Sequence, residues 1–245
     1  MTERHPVVFI HGLWLHASSW GRWVRLFAAH GYPAVAPGWP GDEPTARATR
    51  ARPSALSSRG IGDVREHYAR IAGSFTTRPV LVGHGLGGLL ALTLAAEIHA
   101  AGVIAIDAMP GNPMAPAREP SAGPGAAALT RDEFRVVYGS AVSPAESDRL
   151  YERWAIPAPR WALREPAVPD TLAPATNSSR GPVLLIASGR SQRRVAPPDA
   201  SGEPRVLVPA GDAVIFPDRG PSLIIDSGWR RVAESCLSWM DAQEL

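Results

Sequence analysis

The stretch Pro79 to Gly88, PVLVGHGLGG, holds the residues whose types and order point to chemistry: a short apolar run, four glycines among six residues, and the start of an apolar run beginning at Leu86. A chain that passes from strand to helix through so few residues brings the first free amide of the helix, that of Leu86, to the end of the strand. The helix dipole adds positive potential there. Such a place binds an anion or stabilises a carbonyl oxygen that is gaining negative charge. Residue 85, between His84 and Leu86, is glycine and carries no reactive side chain. The nearest groups able to move a proton are His84 beside it, His11 and His16 after the first apolar run, and Asp107 at the end of GVIAID. Each also has a plain structural reading: His11 and His84 pack and bond locally, and Asp107 caps a loop. His16 stands between the two readings. Trp14, Trp154 and Trp161 fall on segments expected at a pocket mouth and suit a flat aromatic ligand, whereas Trp20, Trp23, Trp229 and Trp239 are expected in the core.

The elements that position these groups follow from apolar periodicity. Residues 6–10, PVVFI, form a continuous apolar run, as in a strand covered on both faces. Trp20, Trp23, Val24 and Phe27 recur at helical spacing, and Gly31 stops that helix. Residues 33–36 read as a second short strand, and Pro37 to Gly60, rich in Pro, Gly, Arg and Ser, as an exposed connection. Ile61, Val64, Tyr68, Ile71 and Phe75 predict one buried helix face. The run from Leu86 to Ala101 is apolar almost all round and predicts a central helix, followed by a strand over 102–107.

Pro110 to Gly125 holds five prolines and three glycines and reads as a lid edge or linker. Helices are predicted over Arg131 to Ala141 and Ser143 to Trp154, the second opening on Ser143 as N-cap, Pro144 at N1 and Glu146 completing a capping box. Residues 182–187 return to a strand. Arg205 to Val208 and Ala213 to Phe216 compete for the last strand, with the second preferred, and Trp229 to Met240 closes the chain as an amphipathic helix after Gly228. This alternation predicts an α/β fold with a mostly parallel central sheet, right-handed crossovers and helices on both faces. Its core is 1–109 with 181–245, and a small helical cap is inserted over 110–180.

Composition narrows the function. The 245 residues, 45% hydrophobic and 20% charged, suit one globular domain with a full core. All 25 basic residues are arginine, so Schiff-base chemistry on lysine, and with it a lysine-anchored pyridoxal cofactor, is excluded. Cys236 is the one cysteine and reads as a packed core thiol, so no disulfide and no metal cluster is expected. A net charge of +2, with no basic cluster beyond Arg190, Arg193 and Arg194, argues against nucleic acid as partner. Those arginines read as a solvated patch or as a hold for an anionic substrate group. No run reaches the roughly 18 apolar residues of a membrane span, and the chain enters its first strand without a leader. The expectation is a cytoplasmic monomer or homodimer acting on a small molecule without cofactor or metal.

Four stretches in order, FIHGLWLHASSW, VGHGLGG, LLIASGR and FPDRGPSLIIDSGW, together resemble the α/β-hydrolase superfamily, in particular its small bacterial esterase-like members. The resemblance implies a nucleophile elbow at VGHGLGG, and ester hydrolysis by Ser, Asp or Glu, and His in that chain order. Carried over residue by residue, the nucleophile position is Gly85, the acid falls at Ser191 or Gln192, and the histidine at Pro221; all seven histidines lie at or before His99. Loss of a serine-protease triad costs on the order of a million-fold in turnover, so hydrolysis through an acyl-serine is not expected. The elbow needs a positive φ that glycine adopts without strain, so Gly85 keeps the turn and the Leu86 amide. The resemblance also implies a second oxyanion donor just after the first His-Gly, at Leu13.

Three readings remain open. The first is a non-hydrolytic, cofactor-independent enzyme acting on a carbonyl compound, aromatic or polyketide-like, by cyclisation, C–C bond formation, elimination or oxygenation. An arginine-rich, lysine-free chain points to a bacterial source and a specialised-metabolite pathway. The second is a pseudohydrolase that binds a ligand or partner. The third is a hydrolase with a relocated mechanism, for which Asp107 and His16 are the candidates.

Overall fold

In a computed structural model, which describes residues 4–56, 60–108, 126–164, 181–189 and 211–245, the apolar runs lie side by side in one sheet. Its strands are β1 (Val7–Ile10), β2 (Ala34–Val35), β3 (Val80–His84), β4 (Gly102–Ile106), β7 (Val183–Ser188) and β8 (Asp212–Phe216). Their order across the sheet is β2-β1-β3-β4-β7-β8, and every pairing is parallel. β1, β3 and β4 are buried at every position, as their unbroken apolar sequences require of strands covered on both faces. The helices that cover them include α1 (Gly21–Ala29), α3 (Ile61–Gly73), α4 (Leu86–Glu97) and α8 (Trp229–Ala242). Cys236 is fully buried on α8, and burial pushes its thiol pKa up, so it is an inert core group.

Two sequence expectations are corrected here. The segment 37–60 is not simply an exposed connection: it carries α2 (Ala46–Ala51) and a 3-10 turn (Pro53–Leu56), and it buries Trp39, Ala46, Thr49 and Leu56. The large indole outweighs the polar composition around it. The helix from Leu86 stops at Glu97 rather than Ala101, because Ile98 caps it and His99 turns left-handed at a φ of 51°.

Between β4 and β7 the chain forms a second small layer: β5 (Ala126–Ala127) paired antiparallel with β6 (Ala158–Pro159), and the helices α5 (Arg131–Val137), α6 (Pro144–Trp154) and α7 (Trp161–Arg164). α6 begins as expected, with Ser143 accepting from the amide of Glu146, but the capping box is half made: the Glu146 carboxylate accepts from the amide of Ser227, 2.7 Å away. The complete box belongs to α5, where Thr130 and Glu133 cap each other reciprocally. α5 also ends at Val137, short of the expected Ala141. Residues 110–125, Arg205 to Val208, and Arg190, Ser191, Gln192, Arg193 and Arg194 lie outside the described residues. Among the described residues no helix is long and apolar enough to cross a membrane.

Candidate active site

The parallel sheet delivers β1, β3, β4 and β7 to one edge, where ligands bind in folds of this kind. At the end of β3, Gly85 has φ 56° and ψ −122°, a conformation open in practice to glycine alone, and it serves as the N-cap of α4. Its own amide donates to the Ile106 carbonyl at 2.8 Å, which fixes the apex against the end of β4. The α4 ladder begins with the amides of Gly88 and Leu89 donating to the Gly85 carbonyl. Leu86, as the first helical residue, therefore has an amide with no acceptor inside the helix. The turn is tight because Gly87 runs directly over β1: a Cβ there would overlap the carbonyl oxygens of Ile10 and His11.

Leu13 follows the His-Gly of β1, and its carbonyl accepts a hydrogen bond from the Tyr138 hydroxyl at 2.5 Å. Trp14, next in the chain, is left-handed at a φ of 57°. An antiparallel bridge between Leu15 and Ala155 ties this loop to the end of α6, with the Ile156 amide on the Trp14 carbonyl and the His16 amide on the Trp154 carbonyl, both at 3.0 Å. The sequence-implied oxyanion loop is thus held by the inserted layer through three backbone-directed bonds.

Asp107 ends β4 with a φ of 46°, a strained value for a non-glycine residue. Its two carboxylate oxygens accept from the Ser188 amide at 2.7 Å and the Ser188 hydroxyl at 2.8 Å, which joins the ends of β4 and β7 and orients the carboxylate. His84 is fully buried, and neither ring nitrogen forms a hydrogen bond of regular geometry. Burial pushes its pKa down to about 4, opposed weakly by the Pro221 carbonyl, so the ring is neutral at pH 7. Pro221, which stands where the resemblance places a histidine, is therefore a neighbour of an imidazole supplied by β3. The Tyr138 ring centroid lies 6.2 Å from that of His84, and burial, reinforced by the charge of Asp107, raises its phenol pKa well above the usual value. Tyr138 thus touches or senses Leu13, His84 and Asp107 together.

A buried neutral histidine makes stability depend on pH. The unfolded chain takes up a proton near pH 6.5 and the folded chain only near 4. Stability is complete above about pH 6.5 and falls as the pH drops through that window, by about 3 kcal/mol for His84 alone. His84→Phe is expected to flatten this loss; urea melts of both proteins at pH 7 and pH 4.5 measure it.

The other sequence candidates are placed less favourably for chemistry. His16 follows the loop, and its ring is committed: Nδ1 accepts from the Ser18 amide at 3.1 Å and Nε2 lies 2.9 Å from the Glu43 carbonyl, and burial lowers its pKa. The structure pairs Asp107 with Ser188, not with His16. Trp14 is 1% exposed and donates its indole N–H to the Ala127 carbonyl, so it anchors the inserted layer rather than lining an open mouth. Trp154 is buried beneath Arg22 and Arg153. Trp161 stacks on Trp39, with ring centroids 5.9 Å apart.

Two features were not legible in the sequence. Tyr138 read only as one aromatic on a short helix. The second is a buried pair in which His11 Nε2 lies 3.0 Å from an oxygen of Asp42, with the Trp39 ring stacked on the imidazole. This is an acid–imidazole pair, but the other ring nitrogen, Nδ1, faces the Gly12 carbonyl at 3.0 Å rather than a hydroxyl. It therefore has no nucleophile to activate, and it holds the 37–60 segment to the end of β1. Among the described residues, no group of three or more His, Cys, Asp or Glu side chains could hold a metal ion.

With strand order, turn and edge in place, the chain belongs to the α/β-hydrolase family, whose family model matches residues 7–235. A search of curated protein sequences finds no match. Among solved structures it is similar to an extracellular α/β-hydrolase from a Paenibacillus species, described as homologous in structure and function to tobacco salicylic acid binding protein 2, at 15% identity and a TM-score of 0.71 over 96% of this chain and 98% of that one. It is similar to tomato methylketone synthase I, complexed with 2-tridecanone, at 12% identity and a TM-score of 0.68 over 98% and 99% of the chains. A pyrethroid hydrolase from Sphingobium faniae aligns at 19% identity and a TM-score of 0.65 over 97% and 98%. At these identities the likeness establishes the fold.

Proposed function

We propose that this chain is a non-hydrolytic, cofactor-independent enzyme that binds a carbonyl compound, aromatic or polyketide-like, at the Leu13 and Leu86 amides and stabilises the anion formed on its oxygen, in bacterial specialised metabolism. The observation that carries this reading is Gly85 in the elbow conformation, φ 56° and ψ −122°, with the first amide of α4 beside it and no hydroxyl on the residue. The turn that aims the amide is kept while the nucleophile position is empty of reactive atoms. Each preorganised donor in a dry site contributes about 3 to 4 kcal/mol to a developing oxyanion. Cyclisation, C–C bond formation, elimination and carbanion oxygenation all pass through such an anion and need orientation rather than a covalent intermediate. Asp107, at the end of β4 beside the apex, is the group placed to take or return a proton, whereas His84 is held neutral by its burial. Among the structural neighbours, tomato methylketone synthase I bears the name of a synthase and has been crystallised with 2-tridecanone, a ketone, and, as a histidine-to-alanine variant, with β-ketoheptanoate, a keto acid.

The test is to incubate the protein with β-keto acids, phenolic ketones and aryl esters, with and without oxygen, and to identify products by mass. A new product from a keto acid or phenolic ketone, with aryl esters left intact, supports the reading; ester cleavage as the sole reaction overturns it.

One observation favours the second reading, a non-catalytic binding protein: Tyr138 has no exposed surface and its hydroxyl is anchored on the loop carrying Leu13. Tyr138→Phe leaves that carbonyl unsatisfied and is expected to lower stability by about 1 to 3 kcal/mol. Calorimetry reads the stability loss, and titration with a product ketone reads the site: tighter ketone binding in the variant marks Tyr138 as a plug, and weaker binding marks it as part of a working pocket.

A further inference from the structure

Away from the elbow, α1, the end of α6 and the start of α8 meet around Arg22. Its guanidinium carbon sits 5.2 Å from the Trp154 ring and 4.9 Å from the Trp229 ring, and one terminal nitrogen donates to the Ile225 carbonyl. Two indoles and a carbonyl therefore fix this side chain in place. Its Nε–H is buried and has no partner.

The charge around it is one-sided. The Arg153 guanidinium carbon lies 4.8 Å from the same Trp154 ring, and burial, then Arg153 and Arg25, disfavour the charge on Arg22. Among the described residues Arg22, Arg25 and Arg153 make no salt bridge, whereas Arg65 pairs with Glu97 and Arg230 with Glu234. The one acid that Arg22 senses is Glu146, and that carboxylate is committed to the Ser227 amide. α1 and α8 both begin here, and neither has an acidic residue in its first turn to offset its positive end.

Three arginines share the one carboxylate of Glu146, so the cluster keeps a net positive charge that an anion would complete. We propose that Arg22, Arg25 and Arg153, on the shelf made by Trp154 and Trp229, form a binding site for a phosphate-bearing small molecule. Arg22 is its fixed floor, and Arg25 and Arg153 close on it from the exposed side. Set against Glu146 and the C-terminal end of α6, three cations and two helix starts still leave an excess of more than one positive charge, which a phosphate or diphosphate matches better than a single carboxylate. The planar guanidinium also matches phosphate oxygens in pairs. This site stands independently of the carbonyl reading and is tested without any turnover assay.

The experiment is a thermal-shift and calorimetric titration of the whole chain with sodium phosphate, sodium pyrophosphate, sodium acetate and sodium chloride at matched ionic strength. A saturable rise in melting temperature with phosphate, larger with pyrophosphate and absent with acetate and chloride, is expected. Arg25→Gln combined with Arg153→Gln changes only exposed side chains and should keep the fold; it should weaken pyrophosphate binding at least tenfold, while Arg65→Gln leaves it unchanged. An equal response in the double variant, no response in the parent, or a response to acetate as large as to phosphate overturns the proposal.

Discussion

Leu86→Pro is expected to lower turnover of a keto-acid or phenolic-ketone substrate by about a hundred- to a thousand-fold while the protein stays folded. Leu86 is the first residue of α4, where its amide bonds nothing inside the helix, and where proline's fixed φ and missing N–H are well tolerated. The residue before a proline is restricted mainly through its ψ, and Gly85 holds ψ at −122°, away from the helical region that proline disfavours. The substitution therefore deletes one N–H without breaking the helix, and it also exchanges the buried Leu86 side chain for a smaller ring. Thermal melts should stay cooperative at a melting temperature lowered by the lost Leu86 packing, and kcat should fall more than KM rises, because the donor matters most once charge has moved onto the oxygen. Unchanged kcat in a folded variant would remove the α4 amide from the mechanism.

Gly87→Ala is expected to have the largest effect on folding, a loss of about 3 kcal/mol or more and little soluble protein. The added methyl has no direction in which to yield: it meets the backbone carbonyls of Ile10 and His11, both held in β1 and its continuation at the centre of the sheet. A flexible side chain would give way; two strand carbonyls do not. Gly62→Ala makes a useful comparison, since nothing lies within 4 Å of its Cβ and helix propensity improves, so a small gain in stability is expected there. Chemical denaturation of the two variants measures both, and a mild Gly87→Ala would mean that the elbow is looser than its packing implies.

The parts of the molecule that were legible in the sequence are those where one residue type has one physical use. An apolar run without alternation is a strand buried on both faces, so β1, β3 and β4 were readable in place. A helix apolar all round is central, and α4 is. Glycine at 83, 85, 87 and 88 marks close backbone approach, and at 85 and 87 the structure shows why: a positive φ in one case and contact with β1 in the other. What escaped reading depends on contacts between distant segments. Trp39 sits in a stretch whose composition looks solvated, yet it stacks on His11, and the Asp42 beside it completes a buried pair. Tyr138 carries no local mark of its place over Leu13 and His84. Glu146 sits at the correct offset for a capping box, but a bond to Ser227, 81 residues away in the chain, competes for its carboxylate.

His16 shows how a candidate site residue is settled by its partners. Its position after the first His-Gly brings it near the loop, but a ring with both nitrogens engaged by Ser18 and Glu43 works as a cap. Asp107 remains at the edge next to Gly85, held by Ser188 in an orientation that the sequence did not reveal.

The account rests on anion stabilisation without a nucleophile, and a serine-directed fluorophosphonate tests that most directly. The parent and Gly85→Ser are each incubated with the reagent, analysed by intact mass, and assayed in parallel on an aryl ester. Neither protein is expected to gain the phosphonyl mass at a useful rate or to turn over the ester. The hydroxyl restored at residue 85 has no histidine from the C-terminal loop to take its proton, and the nearby imidazole of His84, with a pKa near 4, is a weak base. Rapid labelling of the parent at Ser188 or any other residue, together with ester turnover that the label abolishes, would contradict the account.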